Sequence, residues 1–506
     1  MSDNETMTKG VIAVDLGASS GRLIYAGMSG KTIRMDEVYR FPNTGITTGD
    51  RIYTDILHIY QEILTGLNLA WKKYRRIDAV GVDSWGVDFG LIDTEAELKG
   101  NPFHYRDPQA RGMKEEAEAL FGAGGLFRRT GVQDMWYNTS FQLLGLQKRK
   151  LGFIKSSDRF LLIADLIGYL LTGRMSLEYT GASTTQLLDV KNGGFSREIL
   201  DRLGIPPSVF PGVRMTGSVK GYLKPEICTL AGIPSDASIP VIHTAQHDSA
   251  SAAYAVPAKE EPYLFINSGT WSIIGTILDQ PVISDETCRE LYSNEGAAFG
   301  KFKLVKSIMG MWLIQELRKS WDRQGLNTGY AYLTEAARQA KPFSHVVHVD
   351  DELFAAPADM ADAFRAYFAK TGQAPTEDQG VLYRTVIESL AFQYRKAVDD
   401  LEKILRKKTD TIYFLGGAVR DSLFCQFIAN ATGKAIMAGP VEATAAGNAL
   451  VQLKALGAYE SREEKTEILK NSFNLTSYTP DQDVIWDAEY QKYLKMLRGD
   501  AGFMGM

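Results

Sequence analysis

The chain has 506 residues, 45% hydrophobic and 23% charged, with a formal net charge of -5. That length exceeds what one hydrophobic core organises, so two large domains are expected, and no run approaches the roughly 18 apolar residues of a membrane span. Mild acidity with scattered basic residues, Lys148-Arg149-Lys150 being the densest group, argues against nucleic acid as a partner.

In chain order the first elements read as strands, at 11–16, 22–28 and the alternating 33–39. The period changes over 54–75, where Ile56, Leu57, Ile59, Tyr60, Ile63, Leu64, Leu67 and Leu69 are spaced as on a helix face. Short buried strands follow at 79–85 and 89–93, and strands alternating with helices imply an α/β layer structure. Residues 94–240 read as richer in helix and loop, broken at Pro206-Pro207 and Pro211-Gly212. A crossing between domains is expected near 250–260, dividing the chain into 1–252 and 253–506. Beyond it a hairpin at 264–274 repeats the design of the first, and 309–322 and 380–407 read as helices. A strand at 411–415, a Gly416-Gly417 turn, a helix from about Asp421, a strand at 435–438 and a closing helix near 443–456 complete the pattern.

The two hairpins carry the first chemical signal. Asp15-Leu16-Gly17-Ala18-Ser19-Ser20-Gly21-Arg22 and Asn267-Ser268-Gly269-Thr270-Trp271-Ser272 each join apolar strands through small residues. The N–H groups and hydroxyls of such turns suit a triphosphate gripped from both sides. Asp15 would repel phosphate, so its useful role is to hold magnesium through water while Ser19 and Ser20 face the nucleotide. Arg22 could neutralise phosphate charge; a solvent-facing turn with an Asx hydrogen bond fits the same residues. Gly416-Gly417, at the end of a strand with Asp421 placed to cap the next helix, would let adenine or ribose approach the backbone. A plain tight turn fits there as well. There is no GxxxxGK[ST] loop.

Asp248 precedes Ser249-Ala250-Ser251-Ala252-Ala253, a helix start. It reads as an N-cap favoured by the helix dipole, or as a carboxylate that accepts the proton of a sugar hydroxyl during phosphoryl transfer. A polyol site needs polar groups beside an apolar wall. Ser84-Trp85-Gly86-Val87-Asp88 and His104-Tyr105-Arg106-Asp107 supply both, with Trp85 as sugar platform or core residue. Cys228, Cys288 and Cys425 lie too far apart for a CxxC motif and read as reduced, packed thiols, and the six histidines include no HExxH. Residues 1–6 are acidic and polar, unlike a secretory signal, so a cytoplasmic location is expected.

Nine blocks in order give the chain a family resemblance: VDLGASSGR at 14–22, DSWGVDFGLID at 83–93, HYRD at 104–107, HDSASA at 247–252, NSGTWS at 267–272, NEG at 294–296, KSIMGMWLIQ at 306–315, LGGAVRDSLFCQ at 415–426 and AGPVEATAAGN at 438–448. The chain resembles the FGGY carbohydrate kinases, whose fold is two actin-like (ribonuclease-H-like) ATPase domains with a cleft between them. The resemblance implies ATP as co-substrate with magnesium and transfer to a sugar hydroxyl, here O1 of L-rhamnulose, with L-fuculose or another ketose as the alternative. By position it implies Asp248 as general base, with His247 beside it, Gly86 and Ser307 at the sugar; Trp85 at the sugar and Asp15 at the metal rest on the residues themselves. The nucleotide side would be Ala18, Ser19, Ser20, Gly21 and Arg22, then Thr270 and Gln315, with Gly416 and Gly417 at the adenosine. The partners implied are the sugar and ATP, with no nucleic acid or membrane, and a monomer or small homo-oligomer.

The chain departs from the family pattern at Gln246, where Gly usually precedes the His-Asp pair, and at Ala418-Val419-Arg420, usually richer in Gly, Ser, Gln and Asn. Ser307 stands where the L-rhamnulose branch usually has Asn. Because fold alone does not give function, a non-metabolic actin-like ATPase such as a chaperone or filament module is the reading from another class.

Overall fold

The computed structural model describes residues 7–481 and 485–499; the polar start at 1–6 lies outside them. By packing, the chain forms two units. The first holds the chain as far as Glu261 together with Ile277–Leu304 and Ala443–Phe473; the second holds Pro262–Thr276, Val305–Glu442 and the chain from Asn474. These units interleave along the sequence, whereas the expected domains 1–252 and 253–506 are continuous stretches.

In the first unit a six-stranded sheet runs in the order Val219–Tyr222, Pro240–Ile242, Ala79–Ser84, Lys9–Leu16, Ser20–Ser29, Thr32–Pro42. Lys9–Leu16 pairs antiparallel with Ser20–Ser29 and parallel with Ala79–Ser84, which is parallel to Pro240–Ile242. Val11 through Val14 and Leu16 have no exposed surface, the continuous apolar run of a strand covered on both faces. Helix Ile56–Tyr74 starts at Asp55, whose side chain accepts from the His58 N–H, and ends where Arg75 turns left-handed. Ile56, Ile59, Ile63 and Leu67 face the core, but Leu57 and Leu69 are exposed. Each sits only one or two residues from an inward neighbour, and so about 100–200° around the helix.

Residues 94–240 hold more strand than expected, since Val219–Tyr222 and Pro240–Ile242 join the main sheet. Both are short, and Pro240 opens its strand, a position where proline forfeits no needed donor. Phe89–Ile92 is a strand, as expected, but it pairs with Arg159–Leu162 outside the main sheet.

The second unit is built on a sheet in which Phe302–Met309, Trp271–Leu278, Leu264–Ser268, Thr411–Leu415, Ala435–Ala438 and Thr476–Tyr478 are neighbours in that order. Leu264–Ser268 is antiparallel to Trp271–Leu278 and parallel to Thr411–Leu415, itself parallel to Ala435–Ala438. Both sheets thus share a six-strand plan, a hairpin and a further strand on one side of the first strand, two parallel strands on the other and an antiparallel strand beyond them, and the second sheet adds Ser293–Gly296 at the edge beside Phe302–Met309. The expected helix at 309–322 begins only at Trp312, because Met309 ends a strand and the Gly310 N–H is drawn to the Thr270 carbonyl. Helix Ala443–Ala455 is present but does not close the chain; Arg462–Ser472 and Ile485–Leu497 follow. Cys228 and Cys425 are buried, Cys288 is half-buried and all three are free. No described helix is long and apolar enough to cross a membrane.

Candidate active site

Strand pairing in the first unit sets Asp15 opposite Arg22 and beside Asp83, its register partner in the parallel strand. The Gly17 N–H closes the turn onto the Ser20 carbonyl at 2.9 Å. Asn43 braces it from outside, its side chain donating to the Gly17 carbonyl and its N–H to that of Ser19. Ala18 and Ser19 are exposed, whereas Gly21 is buried against the Phe41 ring, where any Cβ would overlap it. Arg22 donates to Asp15 Oδ2 through Nε and Nη2, at 3.0 and 2.7 Å. The pair expected to divide between phosphate and metal is therefore joined within the turn.

Asp83 has no exposed surface and accepts from Asn448 Nδ2 at 2.5 Å, while its Oδ1 has no hydrogen-bond partner. Burial pushes its carboxyl well above the usual range, Asp15 and Asp248 push the same way, and Asn448 opposes them. Asn448 is positioned by Gln452, which donates to it and to the Ile12 carbonyl. The sequence singled out neither Asp83 nor this amide pair as functional; a buried Asp and Asn far apart in sequence carry no local signature.

Asp248 is the first residue of helix Asp248–Tyr254, with His247 in the cap position, so Asp248 is not the N-cap. The approach to it is fixed on both sides. Ser84 N–H donates to the Gln246 carbonyl at 2.9 Å, and the Gln246 N–H donates to Glu178 Oε2 at 3.2 Å. The His247 N–H donates to Thr180 Oγ1, whose hydroxyl donates to Glu178 Oε2. Glu178 is fully buried; burial lifts its carboxyl to about 7 against the pull of Thr180, Thr216, Gly181 and Gln246. The helix itself lies so close to Ala443–Ala455 that a Cβ on Gly447 would overlap the Ser251 carbonyl.

The Asp248 side chain keeps 36% of its surface exposed, and its Oδ1 lies 3.5 Å from His247 Nε2. Burial of the carboxyl raises it above the usual range, His247 and Lys303 pull it down, and Asp15 pushes it up. Behind His247 stand Glu295 and the fully buried Lys303, which bond to each other. Burial alone would raise the Glu295 carboxyl, but Lys303 and His247 reverse this and hold it far below its ordinary value. Glu295 lies in the NEG block, which by itself carries no role, and Lys303 falls in no motif at all. Gln246, the departure from family pattern, is buried and hydrogen-bonds Asp165, so its side chain serves the interior.

Trp85 packs in the core of the first unit, 9% exposed, and its indole N–H donates to Asp88 Oδ2 at 2.9 Å. Gly86 admits Thr184 closely: an added Cβ would sit 2.8 Å from Thr184 Oγ1. That hydroxyl reaches the N–H of Val87, a β-branched residue held left-handed at φ 70°. Such a conformation costs on the order of 1–3 kcal/mol and persists where surroundings over-determine it; Thr139 Oγ1 donating to the Val87 carbonyl at 2.7 Å is the second constraint. His104 stacks on Tyr105, and burial with nearby Arg106 lowers its imidazole to about 4, leaving it neutral.

In the second unit the turn at Gly269 and Thr270 is tied to the start of helix Trp312–Arg323. Thr270 Oγ1 donates to Gln315 Oε1 at 3.1 Å, and the N–H groups of Gly310, Met311 and Trp312 close onto the carbonyls of Thr270 and Gly269. Two residues 45 positions apart, both expected at the nucleotide, are thereby brought together. Behind the turn Ser268, Ser272 and Tyr394 share a buried hydroxyl cluster. Ser307 is exposed on strand Phe302–Met309. Gly416 has φ 87°, and a Cβ there would meet the Ser268 carbonyl at 2.7 Å; Gly417 is exposed with open space where its side chain would be. Asp421 caps the next helix, accepting from Leu423 N–H and Phe424 N–H.

Among the described residues no three His, Cys, Asp or Glu gather to form a metal cage. Magnesium does not require one, since it keeps several waters and takes one or two carboxylates plus substrate phosphates. Asp15, with the unpartnered Oδ1 of Asp83 on the adjacent strand, fits that donor set.

The N-terminal domain of the FGGY family of carbohydrate kinases matches residues 10–255, and its C-terminal domain matches 264–456. The chain is 36% identical to a rhamnulokinase of Bacteroides thetaiotaomicron over 492 residues, covering 97% of this chain and all of that one. It is 32% identical to a Bacillus subtilis rhamnulokinase, covering 96% and 99% of the two chains. Among solved structures, gluconate kinase from Lactobacillus acidophilus superposes with TM-score 0.80 at 19% identity over 98% of this chain and 99% of that one. Plasmodium falciparum glycerol kinase with ADP gives 0.77 at 15%, covering 97% of each. These likenesses show the two-domain actin-like fold, and with the matched domains they show that the chain belongs to the FGGY family of carbohydrate kinases.

Proposed function

We propose that this enzyme transfers the γ-phosphoryl group of ATP to O1 of L-rhamnulose, giving L-rhamnulose 1-phosphate, with Asp248 as general base. The observation that carries the chemistry is a partly exposed carboxylate fixed at a helix start, beside an imidazole and near two further carboxylates. The relatives named rhamnulokinase, 31–36% identical over nearly the whole chain, support the sugar. Asp248 accepts the hydroxyl proton as the sugar oxygen attacks. His247, Gly86, Trp85 and Ser307 address the sugar. Ala18, Ser19, Ser20, Gly21 and Arg22 face phosphate, Thr270 and Gln315 hold the nucleotide from the second half, and Gly416 and Gly417 leave room for adenosine. Asp15 would hold magnesium, which neutralises charge on the β- and γ-phosphates when bound. The first turn and the base fall in residues 1–252, the second turn and the adenosine turn in 253–506. We place the enzyme in the cytoplasm, as a monomer or small homo-oligomer.

A coupled ADP-release assay over a panel of ketoses tests this. L-Rhamnulose should give the highest kcat/KM, with L-fuculose next and glycerol, D-xylulose and L-ribulose poorer. Tenfold preference for L-fuculose, about 1.4 kcal/mol of discrimination, would overturn the sugar while leaving the kinase; sugar-independent hydrolysis would overturn both.

A further inference from the structure

The charged neighbours of His247 extend this reading, and the extension rests on Asp248 being the base. His247 Nε2 faces Asp248 Oδ1 at 3.5 Å. On the far side of the ring, Nδ1 lies 3.2 Å from Glu295 Oε2 and 3.2 Å from Lys303 Nζ. Lys303 also donates to Ser249 Oγ at 3.0 Å, and that hydroxyl lies 3.2 Å from Nδ1 and 3.4 Å from Nε2. An ammonium only donates and a carboxylate only accepts, so Nδ1 has an obligate donor and an obligate acceptor at the same distance. The neutral ring is therefore partnered in either tautomer. With the proton on Nε2, Nδ1 accepts from Lys303 and the N–H faces Asp248. With the proton on Nδ1, it donates to Glu295 and the Nε2 lone pair faces Asp248.

We propose that His247, backed by Glu295, takes from Asp248 the proton given up by the sugar hydroxyl and so restores Asp248 to its carboxylate for the next turnover. The sugar O–H bond breaks as the O–P bond forms, and its proton goes to Asp248. The Asp248 O–H then breaks as Nε2–H forms, leaving an imidazolium whose Nδ1–H is held by the Glu295 carboxylate. That cation loses one proton to solvent, the proton that phosphorylation of an alcohol by ATP must release. The other groups around this path are poorer exits. Asp15 and Asp83 face Asp248 as further carboxylates, Tyr105 lies in its field and Tyr137 in that of Glu295, and Lys303 offers only donors.

The test is histidine-selective 15N NMR with kinetics on the full chain. Glu295→Gln removes the obligate acceptor and should move His247 toward the Nε2–H tautomer; Lys303→Met removes the obligate donor and should move it toward Nδ1–H. Glu295→Gln should also lower kcat at least about tenfold, below the 10²–10⁴ of a direct base, and raise the solvent isotope effect on kcat. KM for sugar and ATP should stay within about twofold. An unchanged tautomer in both variants, a wild-type kcat in Glu295→Gln, or a KM change that accounts for the loss would overturn the relay. If Glu295→Gln does not fold, the Lys303→Met tautomer shift decides alone. Asp248→Asn separates the two ideas. Retained turnover there removes the base and the relay together, whereas abolished turnover with a ring indifferent to Glu295 and Lys303 keeps the base and removes the relay.

Discussion

The two hairpin turns stand on the same sheet topology yet differ in chemistry. The first is charged: Asp15 pairs with Arg22, and Asp15 and Asp248 stand near enough to Asp83 to push its carboxyl up. The second is neutral: Thr270 bonds to Gln315, backed by Ser268, Ser272 and Tyr394. A repeated backbone gives each unit a small-residue turn, and under the proposed function the side chains would divide the work between charge and proton handling at the first and hydrogen-bonding grip at the second. This division can be broken by substitutions that ask each turn for the other's property.

The largest effect is expected at Asp248. Asp248→Asn keeps the shape and removes the base, so kcat should fall by about 10²–10⁴ with substrate affinities changed only a few-fold. Steady-state kinetics and isothermal titration with each substrate measure the two quantities. A variant keeping more than about half of the wild-type rate would make Asp248 a first-turn helix residue and nothing more.

Next comes the charged pair. Asp15→Ala should depress the rate and raise the free magnesium needed for half-maximal activity, by about tenfold on the scale of one lost charged contact of roughly 1.5 kcal/mol. Arg22→Ala should leave Asp15 without its ion-pair partner and shift the magnesium requirement less, while raising KM for ATP. Rate against free magnesium at fixed ATP separates them, and an unchanged dependence in Asp15→Ala would remove Asp15 from the metal.

The fold was legible where local pattern and packing agree. The hairpin strands, the helix over 54–75 and the long helix near 380–407 all appear, because buried strands are uniformly apolar and these helices keep a clear period. What escaped was decided by tertiary contact. Strand Phe302–Met309 carries Lys303 into the interior, where an apolar-pattern reading excludes it, and Glu295, His247 and the Ser249 hydroxyl make that charge tolerable. Leu57 and Leu69 belong to the apolar run yet sit off the buried stripe. At the candidate site the turns and Asp248 were readable as motifs. Glu178, Asp83, Asn448 and Lys303 were not, because their roles come from partners in distant segments.

A smaller effect is expected at the second turn. Thr270→Val keeps the branched shape and deletes the hydroxyl that Gln315 accepts. One lost neutral hydrogen bond is worth about 0.5–1.5 kcal/mol, so KM for ATP should rise about threefold to tenfold with little change in sugar KM. The contrast between the turns adds a sharper requirement, that the magnesium dependence stay as in wild type. If Thr270→Val shifted it as far as Asp15→Ala does, the second turn would share the charge-handling role and the proposed division would fail.

The smallest change is expected at Ser307, an exposed position on strand Phe302–Met309. Asn there adds reach and one amide without disturbing a packed neighbour, so stability should hold, as for most surface substitutions. A hydrogen bond to one sugar hydroxyl discriminates by about 1–3 kcal/mol when buried, and an exposed site should give the low end. Ser307→Asn should therefore hold or improve kcat/KM for L-rhamnulose and change its ratio to L-fuculose by about fivefold. Competition between the two sugars in one reaction reads that ratio directly. No change in the ratio would place Ser307 away from the sugar and leave selectivity to the Gly86 turn and His247, where Thr184 and Thr139 already hold the backbone in a single strained conformation.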